Sequence, residues 1–512
     1  MSYEKQQWSS KWTFIFAAVS SAVGLGNIWR FPMVVHTNGG GAFLIPYFVC
    51  VLMCGVPLLI LELTYGAKYK GTTPLAFARV GRKFEIWGWA QAFFAGFIIF
   101  YYGTILVWAL NYIIFAATTA WGTDSVAFFS RDFLKVGTSA FDFSNFVMPI
   151  FIGNVLVWGA SYFIMARNVK KGLERINQII LPLMAIAAIL LVIRGATLDN
   201  AVAGINALFT PNMAALANPN VWLAAAGQAM FSLSLCMGIL VTYGSYMQKG
   251  SEIINSSYIV AFVDMLFALV FAIGIFSILG YIAGSQGVAV GQGVAVGGAG
   301  LVFMTVPIAL NYMGGFGPIM GVAFFTMLFI TGWTSFLSLM ESFISPFCEK
   351  FGWNRKKAFG ILTIVGFLMS VVYCTGAGQL VLTLVDYAVN SFGLVAGGIA
   401  MAVMAGYVVK RVPEFADFAN STALPGFKIG GLFSFQIKVL IPFIFGVSIT
   451  LALLRFMGVG TAILGSAPGG ITARSPAEIA FYVGGVLVVS FAAGIILMNK
   501  PWKIGLDNYE KE

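Results

Sequence analysis

The chain has 512 residues, of which 59% are hydrophobic and 9% are charged, and its mean hydropathy is +0.90. Soluble domains carry about 25% charged residues, so this composition excludes a soluble globular protein and indicates an all-α polytopic membrane protein. The net charge of +10 does not indicate a nucleic-acid partner, because Lys and Arg lie in short clusters between apolar stretches, as membrane orientation requires.

Twelve apolar stretches approach the length of about 20 residues that crosses a bilayer. They lie near 12–37, 41–66, 86–117, 145–165, 177–194, 219–247, 257–283, 316–347, 358–375, 379–409, 436–456 and 479–499. With both termini in the cytoplasm, most of the 29 Lys and Arg residues fall on that side. The positive-inside pattern therefore predicts a multi-pass plasma (inner) membrane protein with cytoplasmic termini. The exceptions are Arg131, Lys135, Arg194, Arg455 and Arg474, and Arg30 lies within a span.

Residues 20–32 form a glycine-interrupted stretch inside the first span. Non-helical backbone is tolerated at membrane depth only where it is buried in protein or lines a cavity. A break at this point would free carbonyl groups for a cation, and the amides of Leu25 and Gly26 for a carboxylate. A packing kink is the alternative, since small residues are common where membrane helices cross.

A second candidate break lies in the sixth span, where Ser232 and Ser234 precede Gly238. Two interrupted helices, each opening a run of five spans, indicate a transporter with inverted repeats and a midplane site. We therefore divide the chain into a first repeat over 1–194, a second over 195–409, and two further helices with the C-terminus over 410–512. The alternative is an unbroken helix in which these serines only donate a hydrogen bond to a backbone carbonyl one turn earlier.

Several short motifs occur in order along the chain. They are Ala22-Val23-Gly24-Leu25-Gly26-Asn27 with Arg30-Phe31-Pro32, Asn38-Gly39-Gly40-Gly41-Ala42-Phe43, Gly71-Thr72-Thr73-Pro74, Tyr101-Tyr102, Gly227-Gln228 with Phe231-Ser232-Leu233-Ser234, and Gly332-Trp333-Thr334-Ser335. From Trp8 to about residue 410 the chain resembles the prokaryotic branch of the neurotransmitter:sodium symporter family. The resemblance implies a LeuT-type 5+5 inverted-repeat fold with 12 transmembrane helices, of which helices 1 and 6 are broken at the midplane.

The resemblance implies two sodium sites built from oxygen ligands, which hard cations prefer. The first would use Ala22, Asn27, Ser232 and Asp264 together with the substrate carboxylate. The second would use Ser20, Val23, Thr331, Thr334 and Ser335.

Asp264 departs from the pattern of the chloride-dependent animal members, which carry Asn at this position and Ser four residues later, where this chain has Ala268. A fixed carboxylate beside sodium would supply the negative charge that chloride supplies in those members. We therefore expect that chloride is not required. A protonated, structural Asp is the alternative.

The resemblance also implies the substrate class. Amine-transporting members carry Asp where this chain has Gly24, so the space beside Gly24 is expected to take the carboxylate of an amino acid. The implied substrate-binding residues are Ala22, Gly24, Leu25, Gly26, Ile98, Tyr102, Phe231, Ser232, Ser234, Met237, Ser335 and Leu339. None of them is charged, so a neutral hydrophobic side chain is expected, because a charged one would be desolvated without a partner.

Gates and a hinge are implied in the same way. An outer gate would pair Arg30 with Asp386, and an inner gate would pair Lys5 with Glu349 while Trp8 packs down the first half-helix. Gly172 and Pro182 have the Gly-X9-Pro spacing of a bacterial multi-hydrophobic amino-acid transporter in the family. That segment is predicted to unwind locally, with an ordinary proline kink as the alternative.

The sequence therefore predicts sodium-coupled symport of neutral hydrophobic L-amino acids by a monomer or weak homodimer in the lipid bilayer. An amino-acid-sensing receptor on a transporter fold, or a symporter of small neutral amino acids or other carboxylates, are the alternatives. A channel is not expected, because it would need a ring of pore charges or a repeated filter, and the sequence instead indicates two midplane breaks with gates at both ends. An enzyme is not expected, because no His, Cys or paired-carboxylate constellation supports one.

Overall fold

The structure is a computed structural model that describes residues 6–292, 300–424, 426–457, 459 and 474–506. Twelve helical stretches correspond to the predicted spans, and we number them α1 to α12. The first, α1, consists of Lys11–Ala22 and Gly26–Thr37, and α2 to α5 are Gly41–Tyr69, Arg82–Thr118, Met148–Met165 and Lys170–Ala196. The sixth, α6, consists of Pro219–Ser232 and Ile239–Ser245. The remaining helices, α7 to α12, are Ile253–Gln286, Gly314–Phe351, Arg355–Cys374, Gly378–Val408, Gly431–Phe456 and Pro476–Met498.

Within the described residues, ten of these helices are long and apolar enough to cross a membrane, and the two parts of α1, bent by 48°, form an eleventh candidate. The two parts of α6 have 14 and 7 residues. Neither part alone has the length of about 20 residues that spans the hydrocarbon core. The chain is a multi-pass helical membrane protein in which α1 and α6 are each divided.

Burial separates a central group of helices from a peripheral one. The most apolar window of α3 is 78% buried inside the protein, whereas that of α11 is only 17% buried. The long helices α3 and α8 pack along each other, and the inner part of α1 packs on α5, α7 and α8. A helix that is apolar all round must face protein or lipid on every side, so α3 and α8 form the core and α11 faces outward.

A close approach of two backbones joins α2 to the inner part of α6. A Cβ atom on Gly66 would lie 1.9 Å from the carbonyl oxygen of Val241, and one on Gly244 would lie 2.5 Å from that of Leu63. Small residues at such positions let membrane helices pack closely. The inner half of the broken helix is therefore fixed against α2.

Candidate functional site

The break in α1 falls at Val23, whose ψ of 95° takes the chain out of the helix after Ala22. The carbonyl groups that precede it accept side-chain hydrogen bonds from other helices. Thr334 of α8 donates from Oγ1 to the Ser20 oxygen at 2.9 Å, and Ser335 donates from Oγ to the Ser21 oxygen at 3.1 Å. Backbone oxygens freed by the break thus face hydroxyl groups of α8.

The break in α6 contains three residues in the left-handed region, Ser234 at φ 54°, Cys236 at φ 63° and Gly238 at φ 71°. Non-glycine residues in this region cost about 1–2 kcal/mol each, so neighbouring groups must hold the segment. Glu62 of α2 accepts a hydrogen bond from the Cys236 amide at 2.6 Å, and Ser342 of α8 donates to the Met237 carbonyl at 2.7 Å.

A small cavity of about 30 Å³ lies between the two breaks. Its walls contain every predicted substrate-binding residue except Ser232, together with two residues that were not predicted, Ser21 and Ile239. The volume is enough for about one or two water molecules. The lining must therefore move before an amino acid can enter.

The first predicted sodium site brings together side chains from three helices. The Asn27 amide donates from Nδ2 to Oδ1 of Asp264 at 2.7 Å, and the Ser232 hydroxyl donates to Oδ2 of the same carboxylate at 2.6 Å. Asp264 is fully buried, and Ala22 lies at the cavity wall. The carboxylate and amide oxygens form the donor set that a hard cation prefers.

The second predicted sodium site lies between α1 and α8. The Thr334 hydroxyl lies 2.9 Å from the carbonyl oxygens of both Ser20 and Thr331 and can donate its one hydrogen to either. Within the described chain, the buried hydroxyl groups of Ser20 and Thr331 have no hydrogen-bond partner. Ser335 bonds to Ser21, and Val23 lies at the break. This concentration of oxygen atoms fits sodium.

The two residues of the predicted outer gate, both described by the structure, form no direct ion pair in it. Arg30 donates to Oε1 of Gln228 at 3.2 Å, and its guanidinium lies 4.6 Å from the centre of the Phe231 ring. Asp386 instead accepts from the Tyr101 hydroxyl at 2.7 Å. A residue from the outer half of α6 thus takes the place of Asp386 as the hydrogen-bond partner of Arg30.

At the opposite end, Trp8 is 1% exposed and packs edge-on against Tyr243, with 5.1 Å between ring centres. Its indole Nε1 donates to the Tyr243 carbonyl at 2.9 Å. Glu349 accepts from the Thr72 hydroxyl at 2.5 Å and from the Thr72 amide. Lys5, the predicted partner of Glu349, lies outside the described residues.

The predicted hinge is wound in this structure. Gly172 lies in a widened helical turn over Lys170–Glu174, and Pro182 lies inside the helix Arg175–Ala196. A Cβ atom on Gly172 would lie 2.4 Å from the Ile164 carbonyl oxygen. Glu174 accepts a hydrogen bond from the Ser9 amide at 2.7 Å. The N-terminal segment is therefore bonded to the end of the hinge segment.

Sequence reasoning missed two features of the site. Glu62 is a single carboxylate within the apolar second span, and a lone intramembrane acid is a signal of function by itself. The other is an ion pair in which Arg355 reaches both carboxylate oxygens of Glu341 at 2.7 Å, with the Tyr246 hydroxyl bonded to the same group. No spacing in the sequence indicates that these three residues meet.

Two divided helices with a site between them, inside a bundle of long apolar helices, define a membrane transporter of the LeuT type. A family model described as the sodium:neurotransmitter symporter family matches residues 5–127 and 122–461. The chain belongs to this family. As a member it is a sodium-coupled membrane transporter and not an enzyme.

Individual relatives agree with this assignment. The chain is 37% identical over 407 residues to an uncharacterized sodium-dependent transporter of Methanocaldococcus jannaschii, covering 79% of this chain and 82% of that protein. It is 30% identical over 428 residues to sodium-dependent nutrient amino acid transporter 1 of Drosophila grimshawi, covering 75% of this chain and 67% of that protein. It is also similar to MhsT, as seen in the crystal structure of MhsT in complex with L-phenylalanine. That match has a TM-score of 0.74 and 31% identity, and covers 88% of this chain and all of that one. The LeuT-type fold predicted from the sequence is confirmed by this match.

Proposed function

We propose that this chain takes up neutral hydrophobic L-amino acids by symport with sodium, using the cavity between the breaks of α1 and α6 as the substrate site. The chemistry of the cavity wall carries the proposal. Ile98, Phe231, Met237 and Leu339 supply an apolar surface, and none of the described lining residues is charged. A charged substrate side chain would lose its hydration there without gaining a partner.

The backbone beside Gly24 provides the complementary polar end. A Cβ atom on Gly24 would lie 2.6 Å from Oγ of Ser335 and 3.4 Å from the Tyr102 hydroxyl, so only glycine leaves space for a substrate group. The amides of Leu25 and Gly26 lie there, at the N-terminus of the outer part of α1. A helix N-terminus favours a bound carboxylate. Two relatives support an amino-acid substrate: one is named as a nutrient amino acid transporter, and the other was crystallised with L-phenylalanine, a hydrophobic amino acid.

We further propose that two sodium ions bind, one beside Asp264 and one beside Thr334. In the first site the substrate carboxylate would complete the oxygen shell, which couples sodium binding to substrate binding. The buried Asp264 carboxylate would balance the sodium charge, since an unpaired charge at membrane depth is costly. Chloride is then not needed.

In alternating access, the contacts at the two ends of the site described above would open in turn. On the outer side Arg30 and Gln228 hold α1 to α6. On the predicted cytoplasmic side Trp8 bonds to Tyr243 in the inner half of α6, and Tyr246, which follows that half, bonds to Glu341, the partner of Arg355. We place the protein in the plasma membrane, with both termini on the cytoplasmic side. Opening one end while the other stays closed would move sodium and substrate together.

Competition binding tests the substrate class. Purified protein in sodium buffer should bind labelled L-leucine, and unlabelled Leu, Phe and Trp should displace it. Lys, Glu and the decarboxylated amine of leucine should not, because the first two carry a side-chain charge and the third lacks the carboxylate. Equal displacement by Leu and by its amine would overturn the carboxylate site.

A further inference from the structure

A second and much larger cavity, of about 560 Å³, lies away from the substrate site. It is bounded by the end of α2, by the loop 246–252 between α6 and α7, and by the helix Val412–Asn420 that follows α10. Gln248 in this loop donates from Nε2 to the Trp8 carbonyl oxygen at 3.0 Å. The cavity therefore lies at the same end of the molecule as the N-terminal segment, which is the predicted cytoplasmic end.

The walls of this cavity are strongly cationic. Its charged residues are Lys68, Lys70, Lys249, Arg411 and Glu414. The one carboxylate is shared, since Glu414 lies 3.2 Å from Nζ of Lys68 and 3.6 Å from Nε of Arg411. Among the described residues, four cations and one anion line the cavity, and this excess of positive charge favours an anionic ligand.

Lys70 is fixed in place at the cavity wall. It ends α2 in the left-handed conformation, with φ 49°, which non-glycine residues adopt rarely. Its ammonium group donates to the Met247 carbonyl at 2.7 Å. The charge of Lys70 is thus held between α2 and the loop, and does not extend freely into solvent.

The position of the cavity along the membrane normal selects the kind of anion. Three spans end beside it, because α2 ends at Tyr69, α7 begins at Ile253 and α10 ends at Val408. The ends of spans lie at the level of the lipid headgroups. Further along α7, Tyr258 contacts Phe427, and Phe262 is 53% exposed.

We propose that this cavity binds the phosphate of an anionic phospholipid headgroup, with the acyl chains lying along Tyr258 and Phe262 of α7. Basic pockets between membrane helices on the cytoplasmic side bind such headgroups. The same cations would also attract free phosphate, but the neighbouring apolar surface and the headgroup depth favour the lipid. This site goes beyond the proposed function, because it requires neither sodium nor an amino acid.

The test measures lipid binding to the purified full-length protein in neutral detergent by native mass spectrometry. Phosphatidylglycerol and phosphatidylcholine with identical acyl chains are compared, and phosphatidylglycerol should bind at least tenfold more tightly. The combined variant Lys70→Gln, Lys249→Gln and Arg411→Gln should remove most of this preference, since each cation near the surface contributes roughly fivefold. The matched control, Lys356→Gln, Lys357→Gln and Lys500→Gln, removes three cations at the same end outside the cavity and should retain the preference.

A single variant should change phosphatidylglycerol affinity in the opposite direction, and a folding defect would not produce that result. Glu414→Gln removes the one carboxylate and should tighten phosphatidylglycerol binding by roughly fivefold. Equal binding of the two lipids, or no tightening by Glu414→Gln, would overturn the proposal. Displacement of phosphatidylglycerol by millimolar inorganic phosphate would assign the cavity to a free anion and overturn the lipid assignment. Uptake is measured separately, so equal binding of the two lipids by unmutated protein that retains sodium-driven uptake would contradict this inference alone.

Discussion

The Ser232 hydroxyl donates a 2.6 Å hydrogen bond to the Asp264 carboxylate. This bond joins the end of the outer half of α6 to the middle of α7, and the Asn27 amide bonds the other oxygen of the same carboxylate to α1. Sodium at this point would contact all three helices. One acidic residue therefore connects the two broken helices.

The charge of Asp264 leads to a prediction about chloride. Asp264→Asn combined with Ala268→Ser should make transport depend on chloride, because the fixed negative charge is then absent. Uptake should be compared in chloride and in gluconate, with Ala268→Ser alone as the control that keeps the acid. Full activity of the double variant in gluconate would contradict the charge argument.

The close packing around Gly24 leads to a second prediction. Gly24→Ala places a methyl group 2.6 Å from Oγ of Ser335, and overpacking of this kind costs about 1–3 kcal/mol. Substrate affinity should fall by roughly 5- to 150-fold, as measured by binding of labelled leucine. Gly159→Ala in α4 is the matched control, since a Cβ atom there meets nothing within 4 Å. An unchanged affinity in Gly24→Ala would show that the carboxylate binds elsewhere.

The Thr334 hydroxyl provides a test of the second sodium site. Thr334→Val keeps the shape of the side chain and removes the oxygen, so the sodium concentration for half-maximal leucine binding should rise about tenfold, as expected for a loss of 1–2 kcal/mol. Thr334→Ser keeps the hydroxyl and should remain close to wild type. If both variants have the same sodium dependence as wild type, the second site is not at Thr334.

Much of the site was predictable, because the short motifs around Gly24, Ser232 and Thr334 are local in the sequence, and the resemblance assigned each a position. Other features depend on contacts between distant segments. Glu62 reaches the Cys236 amide across 174 residues, where α2 packs closely on α6 at Gly66. Arg30 was predicted to pair with Asp386, but the structure gives it Gln228, since the side chain lies over Phe231 on the outer half of α6.

The hinge prediction concerns the segment between Gly172 and Pro182. Proline lacks one backbone donor and glycine loses little on leaving a helix, so opening this segment costs less than opening an ordinary turn. Hydrogen exchange across residues 172–182 should be faster without sodium than with it. Pro182→Ala should reduce this exchange and slow uptake while leaving substrate binding nearly unchanged.

The control for the hinge is Pro149→Ala at the first turn of α4, where a missing donor costs no helix hydrogen bond. It should transport like wild type. If residues 172–182 are equally protected from hydrogen exchange with and without sodium, and Pro182→Ala transports like wild type, the motif is only a kink in the helix.

The most direct measurement of the central claim is the accumulation of labelled leucine in proteoliposomes under an inward sodium gradient, compared with choline. Each sodium ion that enters down 100 mV contributes about 2.3 kcal/mol, so two ions support an accumulation ratio on the order of a thousandfold. We expect strong accumulation with external sodium and none above equilibration with choline. Equal accumulation in the two conditions would contradict sodium-coupled symport.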